Sequence, residues 1–210
     1  MKNSKTPSFI SFEGGEGSGK STQAKKLYEY FLAKGIDAIL TREPGGTEVS
    51  EKIREILVTG TADKISPKTE LLLHYSARIE HLRKVIKPAL QQNKIVITDR
   101  FFDSTIAYQG YGHGIELNFI NNLNDFCIEG IIPNITFIFD IDIATGVERA
   151  KARNSDNEKR YEIMGDKFHN KVRKGFIEIA NNNPKRCKLI NANNSIEGLH
   201  QKVISILNQG

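Results

Sequence analysis

Short apolar runs alternate with longer stretches of helical spacing along the chain. Ser8 to Phe12 places Phe9, Ile10 and Phe12 in a compact apolar block and reads as a buried strand. Thr22 to Lys34 carries Leu27, Phe31 and Leu32 at helical spacing, with Gly35 as a stop. Ile36 to Thr41 is a second short apolar run, ending in the loop Arg42-Glu43-Pro44-Gly45-Gly46. Thr47 to Leu57 is amphipathic through Val49, Ile53, Ile56 and Leu57. Ser66-Pro67 reads as an N-cap followed by a first-turn proline. A long helix is expected from there toward Gln92, bent or ended early by Pro88. Ile95-Val96-Ile97 is a fully apolar strand stopping at Thr98-Asp99-Arg100. Helices are expected over Leu117 to Phe126, Ile143 to Arg153, Glu162 to Asn181 and Ile196 to Leu207, and strands over Ile135 to Ile141 and Cys187 to Ile190.

Strands apolar on both faces and separated by helices predict an α/β fold, a parallel sheet covered on both sides with right-handed crossovers. Ligands then bind beyond the carboxyl ends of the strands. Three loops with chemical potential sit at such ends: the glycine-rich run after the first strand, Arg42 to Gly46, and Asp99-Arg100. They are distant in sequence and are expected to converge on one sheet edge.

The glycine run, Gly14, Gly15, Gly17 and Gly19 followed by Lys20, Ser21 and Thr22, fits G-x-x-x-x-G-K-[ST] between a strand and a helix. That context lets backbone N–H groups curl around an anion at a helix N-terminus. Lys20 then reaches the β- and γ-phosphates of a nucleoside triphosphate, and Ser21 ligates Mg²⁺. The motif alone does not specify the reaction.

Composition narrows the class. The chain has 210 residues, 39 % hydrophobic and 26 % charged, which is globular rather than disordered. We read residues 1–210 as a single domain. No apolar run approaches a membrane span. The opening MKNSKTPSF lacks an apolar signal region and reads as a short frayed lead-in, so the expected compartment is the cytoplasm. Cys127 and Cys187 have no metal or redox spacing and read as reduced core residues. The net charge of +5 suits either nucleic acid or a site for several phosphates. The cations are scattered, with no stripe carrying interleaved aromatics, and no nucleic-acid or membrane partner is expected.

Asp99 ends a hydrophobic strand, where an acid can hold Mg²⁺ or its water shell. Arg100 beside it makes sense if it faces the phosphate of an acceptor, for which the planar guanidinium fork is suited; the alternative is a structural ion pair. Arg149, Lys151, Arg153, Lys159 and Arg160 flank a polar stretch, Asn154 to Glu158. They read as a basic lid over a transferring phosphoryl group, or as a solvated charged helix end. His74 and Arg78 are one turn apart on the long helix and either read a base or are two polar residues on an amphipathic face. Tyr108 either packs on a sugar or belongs to the core.

Taken together, "FEGGEGSGKST", "TREPGGT", "DRFFDSTIAYQG" and "FHNKVRKGF" resemble the bacterial thymidylate kinase family, in order and spacing, over nearly the whole chain. The resemblance implies transfer of a phosphoryl group from ATP to dTMP, giving dTDP and ADP, with Mg²⁺. It implies a five-stranded parallel sheet with helices on both faces, of the P-loop nucleoside-monophosphate-kinase type with a mobile lid at roughly 149–162, and a homodimer. By the same resemblance, Gly14, Gly15, Glu16, Gly17, Ser18, Gly19, Lys20, Ser21 and Thr22 bind ATP, with Arg149 and, near adenine, Asn191 and Ala192. Glu16, Glu43, Pro44, His74, Arg78, Arg100, Thr105, Tyr108 and Gln109 fall around dTMP, Arg78 reading the thymine ring. Ser21 and Asp99 serve the metal. Lys20, Asp99, Arg153 and Arg160 are the catalytic candidates.

Three positions qualify the resemblance, of which His74 and Lys159 depart from the family pattern. Ser18 stands in the glycine loop without a neighbouring arginine, which implies a catalytic arginine from the lid, Arg153 or Arg160. His74 stands where the family usually has a phenylalanine stacked on thymine, and Lys159 where it often has Asp. No nominated residue is a credible covalent nucleophile, so direct in-line transfer is expected, driven by positioning and charge stabilisation.

Overall fold

The computed structural model describes residues 8–152 and 159–209. Five parallel strands form one sheet: β1 (Phe9–Gly14), β2 (Ala38–Arg42), β3 (Ile95–Asp99), β4 (Ile135–Asp140) and β5 (Cys187–Asn191), in the order β2-β3-β1-β4-β5. The helices are α1 (Lys20–Ala33), α2 (Glu48–Val58), α3 (Pro67–His81), α4 (Lys87–Gln91), α5 (Phe102–Thr105), α6 (Leu117–Ile128), α7 (Ile143–Lys151), α8 (Asp166–Asn182) and α9 (Ile196–Gln209). The central strands β1, β3 and β4 are short, buried and rich in β-branched or aromatic residues, the edge strands β2 and β5 are partly exposed, and successive strands are joined by helical crossovers, as parallel pairing requires.

The central strand shows why both faces are dry. Ile10 and Phe12 point into a core built with Ala24, Leu27 and Phe31 of α1 and Leu199 and Val203 of α9. Phe9 points the other way, packing with Leu82, Ile86, Ala89, Val96 and Phe101. On that second face Ile138 also packs on Val172, Phe176 and Ile179 of α8. The period-two alternation of side chains thus serves two cores at once.

The helix ends follow local chemistry. Ser66 caps α3, its hydroxyl accepting from Thr69 N–H at 3.2 Å, with Pro67 in the first turn. Thr47 caps α2 in the same way through Ser50 N–H at 3.1 Å. Gly35 closes α1 in the left-handed region at φ 69°, donating to Leu32 O.

Two sequence expectations shift, and one further feature was not foreseen. The helix begun at Pro67 neither stops nor breaks at Pro88; a π-helical segment, Leu82–Ile86, widens the turn ahead of the proline, and the chain stays helical to Gln91. α8 starts at Asp166 rather than Glu162, because Gly165 lies at φ 75°, ψ 161° outside helical space. A second π-helical segment, Ile106–Gly112, carries Tyr108 and Gln109. Within it the consecutive residues Ala107, Tyr108, Gln109 and Gly110 are all buried, as are Phe102–Thr105 of the helix before it.

The register brings the strand ends level. Phe12 pairs with Asp99, Arg42 with Asp99, and Asp140 with Asn191. Backbone bonds extend the ladder past the strands, from Glu43 N–H to Asp99 O and from Arg100 N–H to Phe12 O. The three loops singled out by sequence therefore meet at one edge.

Candidate active site

A cavity of about 980 Å³ opens at that edge, lined by Lys20 and Ser21 at one end and by His74, Arg78, Thr105 and Gln109 at the other. Its two ends are built differently.

At the first end the glycine loop turns from β1 into α1. Gly17 lies at φ 68°, and a Cβ there would collide with the carbonyl oxygen of Gly146 in α7. A Cβ on Gly146 would in turn stand 2.7 Å from Glu16 O. Two backbones meet here, so side chains are excluded. Lys20 Nζ folds back to Gly15 O at 3.0 Å and its stem is buried. Ser18 Oγ and Asp99 Oδ1 are buried with no hydrogen-bond partner among the described residues. Asp99, Lys20 and Ser21 all line the cavity, whereas Thr22 is an exposed residue of the first helical turn. Arg149 Nη1 reaches Ala192 O at 3.4 Å, so α7 meets the loop after β5, where Asn191 Oδ1 caps Asn193 N–H at 2.9 Å.

Arg100 joins the two ends. It sits at φ 70°, a left-handed position that is uncommon for a residue with a Cβ. Its Nη1 donates to Gly14 O at 3.0 Å and to Ser104 Oγ at 2.9 Å, and its Nη2 donates to Glu16 and to Tyr108 OH. Tyr108 OH donates to Glu16 Oε1 at 3.0 Å. Behind this cluster Glu13 is fully buried, accepting from Phe101 N–H at 2.7 Å and from the Ser104 hydroxyl. Burial, reinforced by the nearby charge of Asp103, pushes the Glu13 carboxyl up to about 8.

At the far end a row of α3 residues faces the cavity. Arg78 is 2 % exposed. Its Nε donates to Glu43 at 2.7 Å and its Nη2 to Thr105 Oγ1 at 2.9 Å, while Nη1 has no partner among the described residues. Glu43 also takes His81 Nδ1 at 3.0 Å, and His81 Nε2 meets Thr41 Oγ1 at 2.6 Å. Burial opposes the Glu43 charge, but Arg78 and His81 overcome it and lower its pKa. Pro44 follows through a cis peptide bond, and its carbonyl accepts from Arg54 Nη1 at 2.8 Å.

His74 Nε2 lies 2.8 Å from Tyr161 OH. Burial drops the imidazole to about 4, so the ring is neutral at pH 7. Gln109 Nε2 donates to Glu70 Oε1 at 2.7 Å, and Gln109 Oε1 is left without a partner among the described residues.

Most nominated residues thus share one cavity, but some stand in other places than expected. Glu43 and Pro44 line the cavity as expected, with the Glu43 carboxylate committed to Arg78 and His81. Arg160 does not line the cavity: it is buried, its guanidinium held by Glu70 at 2.6 Å, Leu57 O at 3.1 Å and Ala62 O at 3.0 Å. Arg153 lies outside the described residues. The site also contains residues that sequence reasoning passed over: Arg54, Glu13, Ser104, Glu70 and Tyr161. Glu70 had a readable signal, since 70, 74 and 78 fall on one helical face. Arg54 had none, because it occupies an amphipathic helix read only for its apolar face.

Comparison with known proteins supplies the family. The thymidylate kinase family profile matches residues 12–203. A thymidylate kinase of Wolbachia pipientis wMel is 52 % identical over 184 residues, covering 87 % of this chain and 89 % of that protein. One of Caulobacter vibrioides is 44 % identical over 201 residues, covering 96 % of each. The crystal structure of thymidylate kinase from Ehrlichia chaffeensis superposes with a TM-score of 0.76 at 42 % identity, covering 95 % of this chain and 97 % of that one. The sheet order, the glycine loop and the sequence likeness have one reading: the chain belongs to the thymidylate kinase family.

Proposed function

We infer that the two ends of the cavity hold the two nucleotides of a thymidylate kinase reaction, ATP on the glycine loop and dTMP along α3 and the Ile106–Gly112 segment. As a member of this family the chain phosphorylates dTMP with ATP, giving dTDP and ADP on the route to dTTP. The observation that carries the site assignment is a pair of orphan atoms at the far end. Arg78 Nη1 is a donor and Gln109 Oε1 an acceptor, both buried and both without partners among the described residues. A thymine ring offers a carbonyl oxygen beside an N–H, which is the complementary pair.

Lys20 and the loop amides hold the triphosphate, and Arg149, Asn191 and Ala192 flank the adenine side. Arg100, with Arg54 beside the same wall, receives the dTMP phosphate, trading its bond to Glu16 for one to phosphate. Tyr108 and Glu16 then face the sugar. The acceptor oxygen is already an anion, so no base must remove a proton. It attacks the γ-phosphorus in line, and the bond from that phosphorus to the leaving ADP oxygen breaks. Ser21 and the unpartnered Asp99 Oδ1 are oxygen donors suited to Mg²⁺ shared with the nucleotide phosphates. When bound, the ion neutralises charge on the β- and γ-oxygens. The lid, approximately 149–162, supplies the catalytic arginine. Arg160 has its guanidinium committed to Glu70 and two carbonyls, which favours Arg153 for that role.

No helix among the described residues is long and apolar enough to cross a membrane. A cytoplasmic homodimer fits the surface. Leu72 and Ile79 of α3 and Phe119 and Phe126 of α6 are exposed on adjoining helices, Phe126 by 78 %. Apolar patches of this kind mark association surfaces.

The test is a coupled ADP-release assay offering dTMP, dUMP, CMP, GMP and thymidine separately. Strong preference for dTMP is expected. Equal use of CMP would overturn the assignment of Arg78 and Gln109, and ADP release independent of any acceptor would overturn the acceptor site.

A further inference from the structure

We propose that Glu70 is a positioning residue that locks the Gln109 amide in one sense and thereby makes the acceptor site reject cytosine. The inference rests on the reading above, in which Gln109 and Arg78 meet the base.

A glutamine amide is nearly symmetric in shape, and nothing in its own structure decides which end faces a ligand. What decides is the group behind it. Glu70 lies one turn before His74 and two before Arg78 on the same face of α3, and is fully buried. Its Oε1 takes Gln109 Nε2 at 2.7 Å and His113 Nε2 at 3.1 Å, while its Oε2 is held by Arg160 Nη2 at 2.6 Å. Burial alone would raise this carboxyl, but the bond from His113 and the charge of Arg160 hold it at about 2. An ionised carboxylate only accepts. The Gln109 atom against it must therefore be the NH₂, because an inverted amide would set a carbonyl oxygen against a carboxylate in a buried site.

The consequence falls on the other end. Gln109 Oε1 is left as an acceptor in the same cavity as the donor Arg78 Nη1, each without a partner among the described residues. Thymine and uracil present an N–H to the first and a carbonyl to the second. Cytosine presents a ring nitrogen lone pair and an amino group, wrong at both atoms. Sites built to hydrogen-bond one partner reject its mismatch strongly, because buried polar groups are left unpaired. The lock does not separate thymine from uracil, which share the same edge.

The substitution Glu70→Gln tests this without changing shape. Arg160 will hold the carbonyl of the new amide on its own side. The NH₂ then faces both Gln109 and His113; the imidazole accepts through its bare ring nitrogen, and Gln109 must turn its oxygen toward residue 70 and present its own NH₂ to the base. The ratio of kcat/KM for dTMP over dCMP should fall about tenfold or more, while the ratio for dTMP over dUMP and the KM for ATP change less than about twofold. Affinities from calorimetry give the same ratios if dCMP turns over too slowly. A purely structural role would depress all acceptors together, and that result overturns the proposal. Gln109→Leu separates it from the reading beneath it. If Gln109→Leu lowers the dTMP-to-dCMP ratio and Glu70→Gln does not, Glu70 is not the lock and the base reading stands. If Gln109→Leu leaves the ratio unchanged, the base reading fails and the proposal falls with it. Should circular dichroism show Glu70→Gln unfolded, Glu70→Met/Arg160→Leu removes the buried pair as a unit and frees the amide; there too the ratio should fall, and an unchanged ratio overturns the proposal.

Discussion

Replacing Glu43 by Gln should destabilise the protein and weaken dTMP binding together, while sparing ATP. The carboxylate is 4 % exposed and bridges Arg78 Nε at 2.7 Å and His81 Nδ1 at 3.0 Å. At an effective dielectric near 20, a unit pair about 3 Å apart interacts by roughly 5 kcal/mol. Breaking a buried pair by removing one partner costs about 3–5 kcal/mol, because the other charge stays behind. The amide keeps one acceptor for Arg78 or His81, so about 3 kcal/mol is expected. For a chain of this length each kcal/mol moves the melting temperature by about 2–4 °C, which gives a fall of about 6–12 °C. Arg78 would also lose the charge of its anchor and share a single acceptor with His81 while keeping Thr105, so dTMP affinity should drop about tenfold. Scanning calorimetry measures the first effect and titration of each nucleotide the second. The double variant Glu43→Leu/Arg78→Met removes both charges and should regain much of the lost stability with none of the dTMP binding. An unchanged melting temperature would refute the buried-pair argument. A large thermal loss with unaltered dTMP affinity would refute the claim that Glu43 sets Arg78 for the base.

Arg100→Ala should raise the KM for dTMP by roughly 10- to 100-fold and leave ATP affinity within about threefold, since charged hydrogen bonds contribute about 1.5–3 kcal/mol; equal losses would remove Arg100 from the acceptor phosphate. Lys20→Ala should lower kcat by about 10²–10³-fold in a chain that folds normally, as loss of one charge-stabilising donor does; near-normal turnover would exclude it from the mechanism. Gly17→Ala should abolish ATP binding or folding, because its methyl would occupy the space of Gly146 O; a soluble variant with normal affinity would contradict that contact. Glu13 keeps its proton in the folded chain up to about 8, whereas the unfolded chain releases it near 4.5. The folded state then binds more protons between those values, so this group makes stability fall as pH rises from about 4.5 to about 8. Urea midpoints at pH 5 and pH 8 should therefore differ less for Glu13→Gln than for the parent chain, and an equal difference would refute it.

The strands and the phosphate end were legible because their signals are local. Gly14 to Ser21 is one contiguous motif, and Ile95-Val96-Ile97 followed by Asp99-Arg100 carries its own context. The acceptor end was legible only by name. Glu43 and Arg78 belong there, yet nothing in their separate segments says that one anchors the other; their hydrogen bond spans 35 residues. Arg160 sits in a basic run that reads as a lid, but its partner is Glu70, 90 residues before it; the helical spacing of 70, 74 and 78 puts Glu70 on the site face without pointing to Arg160. The π-helical segments explain the rest. They change the residues per turn at Leu82–Ile86 and Ile106–Gly112, which a 3.6-residue period does not reveal; Tyr108 and Gln109 are placed at the site by the resemblance and not by periodicity.

The position of β1 in the middle of the sheet also bears on how the chain is made. Its neighbours are β3 and β4, not β2, so the strand that carries the glycine loop waits longest for partners. Gly14 is bonded by Arg100, 86 residues on, and Phe9 by Asn134, 125 residues on. At a synthesis rate of about 5–20 residues per second, the second partner emerges roughly 6–25 s after Phe9. Until β3 emerges, roughly 4–17 s after Phe9 at the same rate, Phe9, Ile10 and Phe12 have no sheet to enter. The ribosome therefore releases the nucleotide loop early and the fold completes it late, leaving a sticky nascent segment whose fate is set by translation speed and chaperone access as much as by final stability.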